Sequence, residues 1–233
     1  AGEGEFSLSI LKEAGFSFPV DFTPEARREL RIAAESAGIK VMCFVSEATA
    51  AYFANYKEVQ AYSRVMVLDW GGGTFDISIL NSRKNSVAEI AVFGECIGGD
   101  DIDIELAMGI HSKIVKKSGS ENHIPFDEMI ARSRDNMLAR CEQAKIDISS
   151  TDEEYELTVM SYGEYGTKSV TISVELFDGI VLPIIKSRIL KSIDIVLERA
   201  KLTPMGIDAV IIVGGSSNLT RYEEAIIKLF GED

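Results

Sequence analysis

Val65-Met66-Val67-Leu68-Asp69-Trp70-Gly71-Gly72-Gly73-Thr74-Phe75-Asp76-Ile77-Ser78-Ile79-Leu80 is the stretch that decides the fold. The continuous apolar run 65–68 suits a strand buried on both faces, and an acid, Asp69, stands at its end. The Gly71-Gly72-Gly73-Thr74 turn follows, and 75–80 then alternates with period two, as a second strand does. A further strand over 87–92 completes an antiparallel meander. A Walker-type loop needs a Lys-Ser/Thr pair and opens a helix, whereas this turn has no lysine and closes a hairpin. Glycines there let backbone amides approach a phosphate closely, Thr74 adds a hydroxyl, and Asp69 and Asp76 suit a hydrated magnesium ion. A tight turn whose glycines serve only positive φ accounts equally well for the triple glycine taken alone.

Upstream, 1–17 carries little pattern, although 8–14 allows a short amphipathic helix. A short strand runs from Phe16 to near Val20. Thr23 and Pro24 read as N-cap and first helical residue of a helix over 25–36, which Gly38 closes. A strand at 41–45 and an alanine-rich helix at 47–55 come next. Downstream, Gly98-Gly99 opens a helix through His111, and 126–145 forms another. The segments 154–160 and 168–174 alternate as a hairpin around two Tyr-Gly pairs. A helical stretch over 175–200 contains Pro183, where a kink or restart is expected. The last buried strand is 210–213, followed by Gly214-Gly215-Ser216-Ser217 and a helix near 221–230. A close strand-to-helix turn explains that second glycine pair alone. Both glycine turns, however, sit at the C-terminal ends of strands, where α/β sheets bind ligands. The class is α/β, a mixed sheet with a smaller α+β insertion.

Composition narrows the function. The chain has 233 residues, 46% hydrophobic and 26% charged, enough for a packed core. A net charge of −13 opposes nucleic-acid phosphates, yet leaves a metal-bound nucleotide open. No apolar stretch approaches the roughly twenty residues of a membrane span, and no secretory leader is visible, so a cytoplasmic protein is expected. Cys43, Cys96 and Cys141 lack zinc-like or disulfide spacing and are expected reduced and mostly buried. His111 and His123 lack ligand partners and are expected in surface or capping roles, and Asp152-Glu153-Glu154 in a solvated loop. Trp70 is expected to pack under its hairpin.

Over residues 16–231 the chain resembles the DnaK-type heat-shock chaperones, whose ATPase domain has the actin-like, ribonuclease-H-like fold. Asp69-Trp70-Gly71-Gly72-Gly73-Thr74-Phe75-Asp76 resembles that family's second phosphate motif, and Ser46-Glu47-Ala48-Thr49-Ala50-Ala51 the segment before it. Ile97-Gly98-Gly99-Asp100-Asp101-Ile102-Asp103 is similar to its Gly-Gly-acid-acid-aromatic-Asp motif. Cys141-Glu142-Gln143-Ala144-Lys145 resembles the nucleoside-contact helix, and Val213-Gly214-Gly215-Ser216-Ser217 the adenosine motif. The motifs keep the family's order.

The resemblance implies ATP or ADP with Mg as ligand. Glu47 would orient the attacking water, Asp69 would support the magnesium shell through water, and Thr74 and Asp76 would complete the catalytic end. Gly71, Gly72 and Gly73 would wrap the phosphates beside Gly98, Gly99 and Asp100. Glu142 and Lys145 would reach the ribose, Ile146 and Ser149 the base, and Gly214, Gly215, Ser216 and Asn218 the adenosine path. It further implies, for the whole protein, unfolded peptides, a J-domain co-chaperone and a nucleotide exchange factor as partners, without nucleic acid or membrane. The expected domains are 1–60 as a partial first lobe, 61–97 with 176–233 as the second-lobe core, and 98–175 as the insertion.

Several positions depart from the family pattern. Its basic residue over adenine falls at Ile146, its adenosine-motif arginine and proline at Asn218 and Thr220, and the proline after the key glutamate at Ala48. The family's other phosphate hairpin, its lysine-bearing segment, linker and peptide-binding domain are not in this sequence, so a fragment with weak nucleotide binding and slow turnover is expected. Other readings are a sugar kinase or filament-forming relative, and a nucleotide-sensing module without catalysis.

Overall fold

The computed structural model describes residues 12–19, 22–83, 86–119 and 124–231. Expectations for 1–11, Val20 and His123 lie outside these residues. The chain starts with β1 (Glu13–Phe18), α1 (Pro24–Ser36), β2 (Lys40–Ser46), α2 (Glu47–Ala54) and the single turn α3 (Tyr56–Val59). β1 and β2 pair in parallel. Thr23 caps α1 through its side chain, Pro24 follows, and Gly38 takes φ +79 just beyond the helix, as the local sequence dictates.

Then come β3 (Arg64–Trp70), β4 (Phe75–Arg83), β5 (Ser86–Glu95), α4 (Gly99–Ser118) and α5 (Ala131–Thr151). The hairpin β6 (Tyr155–Val159) and β7 (Lys168–Ile172) leads to α6 (Val174–Ile184) and α7 (Leu190–Ala200), and β8 (Ala209–Val213) and α8 (Thr220–Phe230) close the chain. The central sheet has order β5-β4-β3-β8, with β3 antiparallel to β4 and parallel to β8. It is therefore mixed.

β3 is flanked by hydrophobic cores on both faces. Met66, Leu68 and Trp70 belong to the large core shared with α4 to α8, whereas Val65 and Val67 face a smaller cluster with Ala48 and Tyr52 of α2. That double burial is why 65–68 is apolar without alternation. Trp70 is fully buried, donates from Nε1 to Ile97 O at 3.2 Å, and lies 4.9 Å from the Tyr222 ring.

Several expectations need correction. β8 is an edge strand in which Ile211 alone is buried and Ile212 is 37% exposed, so it is not the buried strand expected. Its apolar residues still alternate between two partly covered faces. The 126–145 helix instead begins at Ala131, after a 3-10 turn over Phe126–Glu128, and continues to Thr151. Within that extension Ser150 and Thr151 donate their hydroxyls to Asp147 O. Beyond Pro183, which has no N–H for the helix ladder, the chain widens into a π-turn over Ile185–Ile189. Cys43 and Cys96 are exposed, and Cys141 alone is buried. His111 is also buried, sharing hydrogen bonds of 2.8 Å with Tyr162 Oη and Ile124 O, so it is a core histidine.

Candidate functional site

Three carboxylates gather at the C-terminal end of β3. Asp69 and Asp76 are direct partners across the β3–β4 ladder, a placement that sets like charges against each other. Glu47, the first residue of α2, is held above its usual range by burial first and then by the charges of Asp69 and Asp76. Burial likewise raises Asp69. α2 packs on β3 through Ala48 and Tyr52, which places Glu47 here. Among the described residues no group of three or more His, Cys, Asp or Glu is arranged to ligate a metal directly.

The hairpin above this group is clamped by its surroundings. Gly71 N donates to Thr74 O at 2.9 Å and closes the turn, leaving Gly72, Gly73 and Thr74 exposed. The amides of Gly99 and Asp100, at the start of α4, donate to Gly71 O and Gly72 O at 3.1 and 2.8 Å. Gly98 lies so close that a Cβ there would fall 1.9 Å from Gly72 O. From the other side, Gly214 has φ +92, and a Cβ on it would meet Trp70 O at 2.3 Å. Ser216 Oγ then donates to Gly71 O at 2.7 Å. Gly98 and Gly214, the first glycine of each pair, are thus required by close backbone approach to the hairpin.

That cleft has a volume of about 520 Å³. Gly72 of the hairpin and Gly99 and Asp100 of α4 form one wall. α5 contributes Glu142, Lys145, Ile146 and Ser149, and the bend after β8 adds Gly215, Ser216 and Asn218. Ile146 is 52% exposed and gives the cleft an apolar face. Ser149 is locked in place because Thr220 N donates to its Oγ at 2.9 Å and Thr220 Oγ1 donates to its carbonyl.

The comparisons bear on the same stretch of chain. The family described as "Hsp70 protein" matches residues 6–233. The chain belongs to the Hsp70 family. It is 32% identical over 228 residues to the yeast protein "Heat shock protein SSC3, mitochondrial" from Saccharomyces cerevisiae (strain ATCC 204508 / S288c), covering 96% of this chain and 34% of that protein. The Hsp70-family chain thus spans about a third of the length of this curated relative. The relative's name places it in mitochondria and lends no support to a cytoplasmic location here. Among the described residues no helix is long and apolar enough to cross a membrane.

Within this Hsp70-family chain the expected residues fall into two places. Glu47, Asp69 and Asp76 form the acidic group, with Thr74 at the exposed hairpin tip, while the α5 and β8-bend residues line the cleft. Gly98 and Gly214 pack backbone on backbone. Lys145 lines the cleft, and its Nζ donates to Asp103 Oδ2 at 2.7 Å and to Gly99 O at 3.0 Å. Asp103, which sequence reasoning gave no role, is buried, and burial raises its carboxyl against the lowering hydrogen bond and charge of Lys145. Its position in the quoted 97–103 motif was the available signal, but only the packing of α4 on α5 reveals the partner. Ser150 also lines the cleft because α5 runs on past the expected end at 145, and Leu219 lines it from the segment just before α8.

Proposed function

We propose that this chain is part of the ATP-binding domain of a DnaK-type chaperone, with the actin-like fold, and that the cleft and hairpin together take a magnesium nucleotide. In this reading 61–97 and 176–233 form the core of the second lobe, 98–175 the insertion, and 1–60 part of the first lobe. The observation that carries the proposal is the position of the exposed Gly72-Gly73-Thr74 tip, between the three carboxylates and the 520 Å³ cleft.

The residues present fit such a ligand. Ile146 offers an apolar face to a base, Ser149 a fixed hydroxyl, Glu142 an acceptor for ribose hydroxyls, and the Gly214 to Ser216 bend a backbone path. Gly71, Gly72 and Gly73 present a main chain that a phosphate can approach. Asp69 and Asp76 would hold a hydrated magnesium ion, whose charge neutralises the phosphates, and Glu47, with its raised affinity for protons, would orient a water. Phosphoryl transfer depends on positioning and charge neutralisation more than on a nucleophilic side chain. In the whole protein this would couple to unfolded peptides, a J-domain co-chaperone and an exchange factor.

Calorimetry with MgATP and MgADP, on the wild type and Gly73→Ala, tests the reading. A Cβ at Gly73 meets nothing within 4 Å, so the variant keeps its melting temperature while losing affinity. Absence of any binding heat in the wild type overturns the reading. A nucleotide sensor without catalysis is the second reading, favoured by exposed Ile146 where the family carries a basic group; binding without turnover in the whole protein would select it.

A further inference from the structure

We propose that the groove between the first turns of α4 and the end of α6 is a second ligand site, one that takes a small amphiphilic amine, an apolar body carrying an ammonium group. The groove has a volume of about 380 Å³, within the range of small-molecule sites, and shares no lining residue with the nucleotide cleft. Ile97 and Ile104 line it from the α4 side, Ile180 and Ile184 from α6. Ile104 is 42% exposed, so the fold leaves apolar surface uncovered at the opening.

Two residues of α6 keep the groove open. Glycine weakens a helix interior, yet Gly179 has no positive φ, and a Cβ on it would meet nothing within 4 Å. Neither backbone conformation nor close approach therefore requires glycine at this position, and the missing side chain leaves space. Pro183, four residues on, has no N–H, so Gly179 O lacks the donor that a regular helix supplies. Both residues line the groove, and a carbonyl acceptor is thus left at its wall.

Charge selects the ligand. Asp101, Glu105 and Arg188 are the charged residues of the lining. Arg188 donates from Nε to Glu95 Oε1, so its charge is already matched. Asp101 gives one oxygen to Gly98 N at 2.7 Å, a bond that leaves its negative charge in place. Glu105, exposed on α4, stands in no ion pair among the described residues. Two carboxylates and a carbonyl, all acceptors, therefore surround an apolar floor. An anion is repelled there, and a neutral apolar molecule strips water from the acceptors without replacing its hydrogen bonds. An ammonium supplies three donors and the opposite charge.

Amide NMR of the intact chain titrated with tryptamine tests this, with tryptophol as the uncharged isostere and spermidine as a cation without an apolar ring. Tryptamine should shift the amides of Ile104, Glu105, Gly179 and Ile184 with a Kd on the order of 0.1–1 mM, as suits a ligand of about twelve heavy atoms. Tryptophol and spermidine should each bind more weakly. Glu105→Gln should weaken tryptamine about two- to fivefold, the scale of one exposed charge pair, and leave tryptophol unchanged. Gly179→Leu should fill the groove and abolish the shifts at an unchanged melting temperature; should that variant fail to fold, Glu105→Gln and tryptophol still decide the matter. Tryptophol or spermidine binding as tightly as tryptamine, or no shift in the groove at about 10 mM tryptamine, overturns the proposal. A capped Leu-Lys peptide that shifts these amides where tryptamine does not overturns it in favour of a partner peptide.

Discussion

Ser216 Oγ donates a 2.7 Å hydrogen bond to Gly71 O, tying the bend after β8 to the base of the β3–β4 hairpin. The two residues are 145 positions apart in the chain, yet this bond sets the distance between the two halves of the site. Ser216→Ala removes this donor, while Gly71 O still accepts from Gly99 N, and should cost about 0.5–1.5 kcal/mol in urea unfolding. MgATP affinity should fall in the same variant under fully folded conditions. A variant with unchanged affinity would show that the hairpin does not depend on the bend.

Gly98 is under a stricter constraint than its neighbours in the hairpin. A Cβ there would lie 1.9 Å from Gly72 O and 2.5 Å from Gly73 N, both backbone atoms that cannot swing aside. Gly98→Ala should destabilise the fold by about 1–3 kcal/mol or more. Thermal melting compared with Gly73→Ala checks this, since the open surroundings of Gly73 predict little change there.

The Lys145–Asp103 pair predicts a pH effect whose sign can be worked out. Burial raises the Asp103 carboxyl, and the hydrogen bond and charge of Lys145 hold that rise back. Lys145→Met removes both restraints, so the carboxyl rises further. The folded variant then keeps a proton that the unfolded chain has released. Stability should accordingly fall as pH rises from the ordinary carboxylate range through the raised value, and return in acid. Near neutrality the loss should be on the order of 3–5 kcal/mol. Chemical denaturation at several pH values measures it; a loss independent of pH would refute the assignment.

Thiol reactivity should divide the cysteines. Burial, aided by the charge of Asp103 and opposed by that of Lys145, pushes the Cys141 thiol up to about 12, whereas Cys43 and Cys96 are exposed. A disulfide reagent in mildly alkaline buffer should titrate these two at once and Cys141 only after unfolding. Rapid native labelling of Cys141 would contradict the packing of α5.

The β3–β4 hairpin was readable because its signals are local: an apolar run, a glycine turn and a period-two strand. The α1 cap and the break beyond Pro183 were readable for the same reason, since a Thr-Pro pair and a missing N–H act within one turn of chain. The end of α5 was not, because Ser149, Ser150 and Thr151 favour loops until their hydroxyls find partners at Asp147 and Thr220. The edge position of β8 escaped for another reason, since an apolar run of five residues looks alike in the middle of a sheet and at its border.

By itself the amino-acid sequence determined the order of the elements, the glycine turns and the acids beside them, since each depends on backbone preferences within a few residues. Only the tertiary structure decided that Lys145 faces Asp103, that the α4 amides serve the hairpin, and that Cys43 and Cys96 face outward while Cys141 does not. Those outcomes depend on which surfaces meet when distant segments pack, and the partners of a side chain across such a contact leave no mark on the residues next to it.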